Sequence, residues 1–111
     1  MSASGGNVRI DGGLGNDNLS AAGGDSVLIG NVGDDVLAAD GGRAVVRGGE
    51  GNDMLYGKSD KYSVKVYGST GADTIGVNGE KAYGYGQGDN DTIGVGGGAY
   101  GNGDVGSDAL N

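Results

Sequence analysis

Cysteine, histidine, proline, phenylalanine and tryptophan are all missing from the 111-residue chain. Without Cys or His there is no disulfide framework, zinc site, thiol nucleophile or imidazole base, so most familiar catalytic constellations are excluded and an enzyme is not expected. Basic residues are few. Seven Lys and Arg stand against fifteen Asp and Glu, a net charge of -8. Nucleic acid and anionic membrane are repelled, and a cation is the natural partner. No apolar run approaches the ~20 residues of a membrane span. Residues 1–6 carry no charged-then-apolar leader, so export by the general route is not expected. Large aliphatic side chains are scarce as well. Ordering each residue costs entropy, most of all at glycine, and burial of so few apolar groups falls short of offsetting it. Something besides a hydrophobic core must contribute.

What the chain has in excess is glycine, 29 residues against an average of about 7%. The glycines are periodic. The segments GGLGNDNLS (12–20), GNVGDDVLA (30–38), GGEGNDMLY (48–56), GSTGADTIG (68–76), GQGDNDTIG (86–94) and GDVGSDALN (103–111) each place Asp sixth and Leu or Ile eighth. The aspartates are Asp17, Asp35, Asp53, Asp73, Asp91 and Asp108, separated by 18, 18, 20, 18 and 17 residues. Weaker half-repeats lie between, such as AAGGDSVLI (21–29) and ADGGRAVVR (39–47). Their sixth place holds Val8, Ser26, Ala44, Val64, Ala82 and Ala99, never an acid.

Short alternating stretches such as DNLSA and AVVRG suit strands of a few residues, with every second side chain pointing inward. The Gly-rich hexapeptides between them permit tight turns. Nine residues make a strand and a turn, and two such units close one coil. The spacing therefore predicts one all-β domain over residues 1–111: a parallel β-solenoid, or β-roll, of about six 18-residue coils. Leu19, Leu37, Leu55, Ile75, Ile93 and Leu110 form one inner ladder. Ile10, Leu28, Val46 and Val66 form the facing one, which ends in Gly84 and Gly101 and so thins the core. In KSDKY (58–62) the two extra residues of the 20-residue spacing form a bulged loop. A Gly-rich acidic chain is also a disordered composition, and disorder is the expected state without a cation.

Stacking brings the sixth-place aspartates into one column, which is repulsive unless a cation lies between its rungs. Calcium fits best, since it takes six to eight oxygens, backbone carbonyls included. The nonapeptides resemble the GGxGxDxUx repeats of the RTX (repeats-in-toxin) family, whose calcium-binding β-roll has this architecture. GGLGNDNLS and GGEGNDMLY carry the resemblance most fully, while GQGDNDTIG has Asp89 where the family has its fourth-place glycine.

The resemblance implies that each ion takes the sixth-place Asp of two successive coils. It adds the second- and fourth-place carbonyls of the first coil and the first- and third-place carbonyls of the next. Carried over, the first set is Gly13, Gly15 and Asp17 with Gly30, Val32 and Asp35. The second is Asn31, Gly33 and Asp35 with Gly48, Glu50 and Asp53, and the third Gly49, Gly51 and Asp53 with Gly68, Thr70 and Asp73. The fourth is Ser69, Gly71 and Asp73 with Gly86, Gly88 and Asp91, and the fifth Gln87, Asp89 and Asp91 with Gly103, Val105 and Asp108. About five Ca²⁺ result, +10 against the -8 of the chain. The second turn column, lacking aspartates, is expected to be metal-free.

The repeat register runs from Ala3 to Asn111 without polar caps or the family's C-terminal export signal. That pattern raises head-to-tail stacking of copies, with a sixth calcium at each junction and a filament as the product. The alternative is a calcium-triggered folding module of a larger secreted toxin, adhesin or protease. Tyr67, Tyr83, Tyr85 and Tyr100 form an outward stripe that could serve lateral contact. Ice binding through ranked threonines is a minor alternative: only Thr74 and Thr92 stand in rank, with Asn18, Val36, Met54 and Ala109 interrupting. The reading is a calcium-binding structural β-roll, extracellular or at the cell surface because open sites of this kind need near-millimolar calcium. Its expected partner is itself, with no nucleic acid and no membrane insertion.

Overall fold

The computed structural model describes residues 2–4, 7–59, 62–88, 90–96, 99–102 and 109–110. Among the described residues thirteen short strands follow in chain order: β1 (Ser2–Ser4), β2 (Val8–Asp11), β3 (Asn18–Ala22), β4 (Ser26–Val32), β5 (Val36–Asp40), β6 (Ala44–Glu50), β7 (Met54–Lys58), β8 (Val64–Thr70), β9 (Thr74–Asn78), β10 (Ala82–Gln87), β11 (Thr92–Gly96), β12 (Tyr100–Asn102) and β13 (Ala109–Leu110). The odd strands form one parallel sheet of seven, the even strands a second of six. The chain thus alternates between two sheets and advances one strand spacing per circuit. It is an all-β parallel solenoid of about five turns, against the six read from the repeats. β1 and β13, of three and two residues, are stubs at its two ends. The extents are 37 × 34 × 13 Å, a flat slab whose thin dimension matches two sheets facing at ~10 Å.

Register follows the repeat. Leu19, Leu37, Leu55, Ile75 and Ile93 are backbone partners in series, and Ile93 continues to Leu110. Ile10, Leu28, Val46, Val66, Gly84 and Gly101 run along the other sheet. Leu19, Leu37, Leu55, Ile75 and Ile93 are buried, as are Ile10, Leu28, Val46 and Val66. A second pair of inner rows lies beside them, Ala21, Ala39 and Val77 from one sheet and Ala44, Val64 and Ala82 from the other. Rows of opposite bulk compensate one another. At Gly57 an added Cβ would stand 2.5 Å from Val64 Cγ1 and 2.8 Å from Val66 Cγ2. At Gly84 the expected thinning is taken up by Ile75, Ile93 and Val77, whose methyl groups reach within 3.1–3.4 Å of the position a Cβ would take.

The two extra residues of the third coil sit in 59–63, because β7 and β8 on either side keep their register with β9 and β6. Ser59 is buried there and its Oγ accepts the Tyr62 amide at 3.1 Å. Asp60 and Lys61 lie outside the described residues. On the second turn column, Ser26, Ala44, Val64 and Ala82 occupy the sixth place and turn into the core.

Candidate metal centre

The acidic turns are built from the strands that feed them. In β4, inward places alternate through Ser26, Leu28 and Gly30, so the first-place glycine is the last inward residue before the turn. Gly48, Gly68 and Gly86 hold the same place in β6, β8 and β10. None of the four has a positive φ; glycine is required there for space. After the turn the sixth-place Asp folds back over its own glycine. A Cβ on Gly12 would stand 2.6 Å from Asp17 Oδ2, and Gly30, Gly48, Gly68 and Gly86 are covered still more closely by Asp35, Asp53, Asp73 and Asp91.

The two carboxylate oxygens have different surroundings. Oδ1 reaches back one coil and accepts the amide of the preceding Asp: Asp17 to Asp35 at 2.7 Å, Asp35 to Asp53 at 2.8 Å, Asp53 to Asp73 and Asp73 to Asp91 at 2.9 Å. Oδ2 points into the turn, where that of Asp17, Asp35 and Asp53 is buried without a hydrogen-bond partner. Asp35 and Asp53 are each 1% exposed. Burial pushes the Asp35 carboxyl above the ordinary range and that of Asp53 to about 6. The amide hydrogen bond pulls each back, and the charges of the preceding Asp and of Asp34 push each further up.

The turn carbonyls alternate along the stack. Second-place oxygens face the following coil: Gly13 accepts the Val32 amide at 3.3 Å, Gly49 the Thr70 hydroxyl at 3.4 Å and Ser69 the Gly88 amide at 3.1 Å. Asn31 faces Gly49 in the same sense, and Gln87 must too, since the Gly88 amide points back across a planar trans peptide. Third-place oxygens face the preceding coil, Glu50 accepting from Gly33 at 3.0 Å and Thr70 from Gly51 at 3.2 Å. Val32 is turned the same way by the forward-pointing Gly33 amide. First-place oxygens of Gly48 and Gly86 also face back, toward Gly30 and Gly68. Fourth-place oxygens of Gly15, Gly33 and Gly51 face forward against Gly33, Gly51 and Gly71.

This zigzag needs left-handed backbone at alternate residues. Gly13, Gly15, Gly33, Gly49, Gly51 and Gly71 all have positive φ. So do three non-glycines at the second place, Asn31 (75°), Ser69 (77°) and Gln87 (71°), a conformation that costs L-residues energy. Asn31 also donates from its Nδ2 to Asp11 Oδ1.

Among the described residues, the gaps between coils therefore present buried carboxylate oxygen, with carbonyls facing in from above and below. The donors are all oxygen, and a hard cation of calcium's type fits them. Among the described residues no three acidic side chains converge, so carbonyls must complete any shell. The family model of the RTX calcium-binding nonapeptide repeat, four copies, matches residues 1–28, 11–46 and 29–61. The chain belongs to this family. RTX repeats bind Ca²⁺, form structural rather than catalytic modules and typically occur in secreted proteins. No curated protein and no solved structure matches the chain.

The residues of the first four ligand sets all lie in the described turns, where Asp17, Asp35, Asp53, Asp73 and Asp91 stack in series. Asp89, Gly103, Val105 and Asp108, which belong to the fifth set, lie outside the described residues. One group escaped the sequence reading. Fifth-place Asn16, Asp34 and Asn52 also bond between coils; their signal was the Asn or Asp before the ligand Asp in GND, GDD and GND. The tyrosines form two rows. Tyr67 and Tyr85 stack at 5.1 Å and 13°, with Arg47 over Tyr67 at 5.7 Å. Tyr83 stands in the next row beside Lys65, and the Tyr100 side chain is outside the described residues.

Proposed function

We propose that this RTX roll is a calcium-dependent structural module that works outside the cell, folding when ions enter its single acidic turn column. The observation that carries the reading is the buried, unpartnered Oδ2 of Asp17, Asp35 and Asp53. A carboxylate in that setting is costly alone and favourable beside a cation. The residues that would hold the ions are the sixth-place aspartates and the carbonyls of the five sets named above, for about five ions per chain. Calcium would supply charge neutralisation and a cross-link between consecutive coils, and extracellular calcium would suffice to load such sites. The test is circular dichroism during a calcium titration: a gain of β signal is expected, reversed by chelation, and a β-rich spectrum unaffected by chelation would refute the reading.

A second reading is head-to-tail assembly into a filament or matrix. The amide that each later Asp receives from the coil before has no counterpart at Asp17 Oδ1 among the described residues. A Cβ on Gly13 or Gly15 would meet nothing within 4 Å, so the first turn offers an open face to one more coil. A second copy supplying that coil would add a calcium site at each junction. Sedimentation velocity in about 5 mM calcium, above the sensor range, tests this: large species that fall to an expanded monomer on chelation support it. A compact monomer leaves the module of a larger secreted protein as the role.

A further inference from the structure

The fifth-place side chains make a ladder of their own, opposite in sense to that of the aspartates. Asn16 Oδ1 accepts the Asp34 amide at 2.8 Å, Asp34 Oδ1 the Asn52 amide at 2.8 Å, and Asn52 Oδ1 the Ala72 amide at 2.9 Å. These three amides are pulled back toward the preceding coil. In a planar trans peptide the carbonyl on the other side of the C–N bond points the opposite way. The carbonyls in question belong to Gly33, Gly51 and Gly71, the fourth-place residues. Gly33 and Gly51 indeed face forward against Gly51 and Gly71.

All three fourth-place glycines have positive φ, between 108° and 123°. Such a residue is free to rotate its flanking peptides, so the direction of its carbonyl needs an external restraint. The next peptide is restrained in the other sense: the Asp35 and Asp53 amides donate forward to Asp53 and Asp73. Each pair of adjacent peptides is thereby held from both sides of its coil.

We infer that Asn16, Asp34 and Asn52 are positioning residues that aim the Gly33, Gly51 and Gly71 carbonyls at the calcium in the gap beyond. This rests on the calcium reading above. Asn and Asp serve equally because the role needs only an acceptor oxygen at the right reach, which Asp34 already provides from a carboxylate.

The test uses Tb³⁺ as a luminescent substitute for calcium, with decay rates in H₂O and D₂O reporting water bound to the ion. In Asn52→Ala, the Ala72 amide turns to solvent and the Gly71 carbonyl loses its aim. One extra water on the affected ion is expected, seen as a faster decay component in H₂O that D₂O abolishes. Asn52→Asp should restore the wild-type decay. The folding constant at fixed calcium should fall about fivefold in Asn52→Ala, the size of one hydrogen bond. Tyr85→Ala is the control, since it removes an intercoil contact, the ring stacking on Tyr67 (5.1 Å), in β10 and outside every ligand set. It should weaken folding slightly and leave the water count alone. If Asn52→Ala does not fold, Asn16→Ala, at the end of the column, makes the same comparison for the Gly33 carbonyl. An unchanged water count in the variant that folds overturns the inference, whatever stability does. A wild-type chain that takes up no terbium fails the calcium reading itself.

Discussion

Replacing Gly48 by Ala separates two accounts of the first-place glycine. Gly48 lies in β6 without a positive φ, so on backbone grounds alone Ala should stabilise by about 0.5–1 kcal/mol through the unfolded chain. The structure opposes this. The new Cβ would stand 2.9 Å from Asp53 Cγ and 3.0 Å from its Cβ, and closer still to Oδ2. Forcing a methyl into a filled site costs about 1–3 kcal/mol. Moving the carboxylate away also breaks the Asp35 amide bond to Asp53 Oδ1, about 1.5–3 kcal/mol for a charged acceptor. The net expectation is a loss of about 2–5 kcal/mol, read as a lower urea midpoint at unchanged slope in saturating calcium. Gly94→Ala is the reference, in a strand with nothing closer than 4.0 Å; it should be neutral or slightly stabilising. In an Asp53→Ala background Gly48→Ala should cost much less, because the Oδ2 and Cγ clashes are gone and only the Cβ contact at 3.0 Å is left. Equal stability of the Gly48→Ala and Gly94→Ala single variants would refute the cradle.

Removal of calcium should reverse the usual pH response of an acidic protein. Asp53 has its folded pKa raised from 3.8 to about 6, so the fold binds the proton more tightly than the unfolded chain does. That contribution, about 3 kcal/mol, is fully present below pH ~4 and lost as pH rises through ~6; a chelated chain with less β signal at pH 4 than at pH 7 would contradict it. Asp53→Ala should raise the calcium needed for folding severalfold, since this residue faces two gaps, whereas exposed Asp25→Ala should stay within ~0.5 kcal/mol of wild type; identical titrations by circular dichroism would remove the one-sided column. Ser69→Gly relieves a left-handed non-glycine and should raise stability by about 1 kcal/mol less the exposed Oγ bond. Calorimetry that shows a lower melting temperature would count against strain at the second place.

The period and the burial of every second residue were legible because both are properties of spacing. Leu19, Leu37 and Leu55 had to align once 18 residues made one circuit, and Asp17, Asp35 and Asp53 with them. Direction was not legible. Nothing in GND says that Asn52 bonds one way along the stack while Asp53 bonds the other. Glycine hid a second distinction, since Gly49 and Gly51 serve left-handed backbone whereas Gly48 serves a carboxylate. The shape was hidden too: Gly57 against Val64 and Gly84 against Ile75 close the sheets into a thin slab, and such compensation crosses between half-repeats that look unrelated in sequence.

The fifth-place ladder also decides how the roll carries tension. Between the first four coils, pulling along the stack must break the forward and the backward side-chain bonds together, at Asn16 and Asp35, at Asp34 and Asp53, at Asn52 and Asp73. Ala72 has no side-chain oxygen to offer the following coil, so at that step the fifth-place ladder stops and the aspartate ladder continues, with the exposed Ser69–Gln87 bond beside it. Under tension along the stack, the first four coils would hold as a block with both ladders strained at once, while the step from Asp73 to Asp91 would carry its share through one of the two.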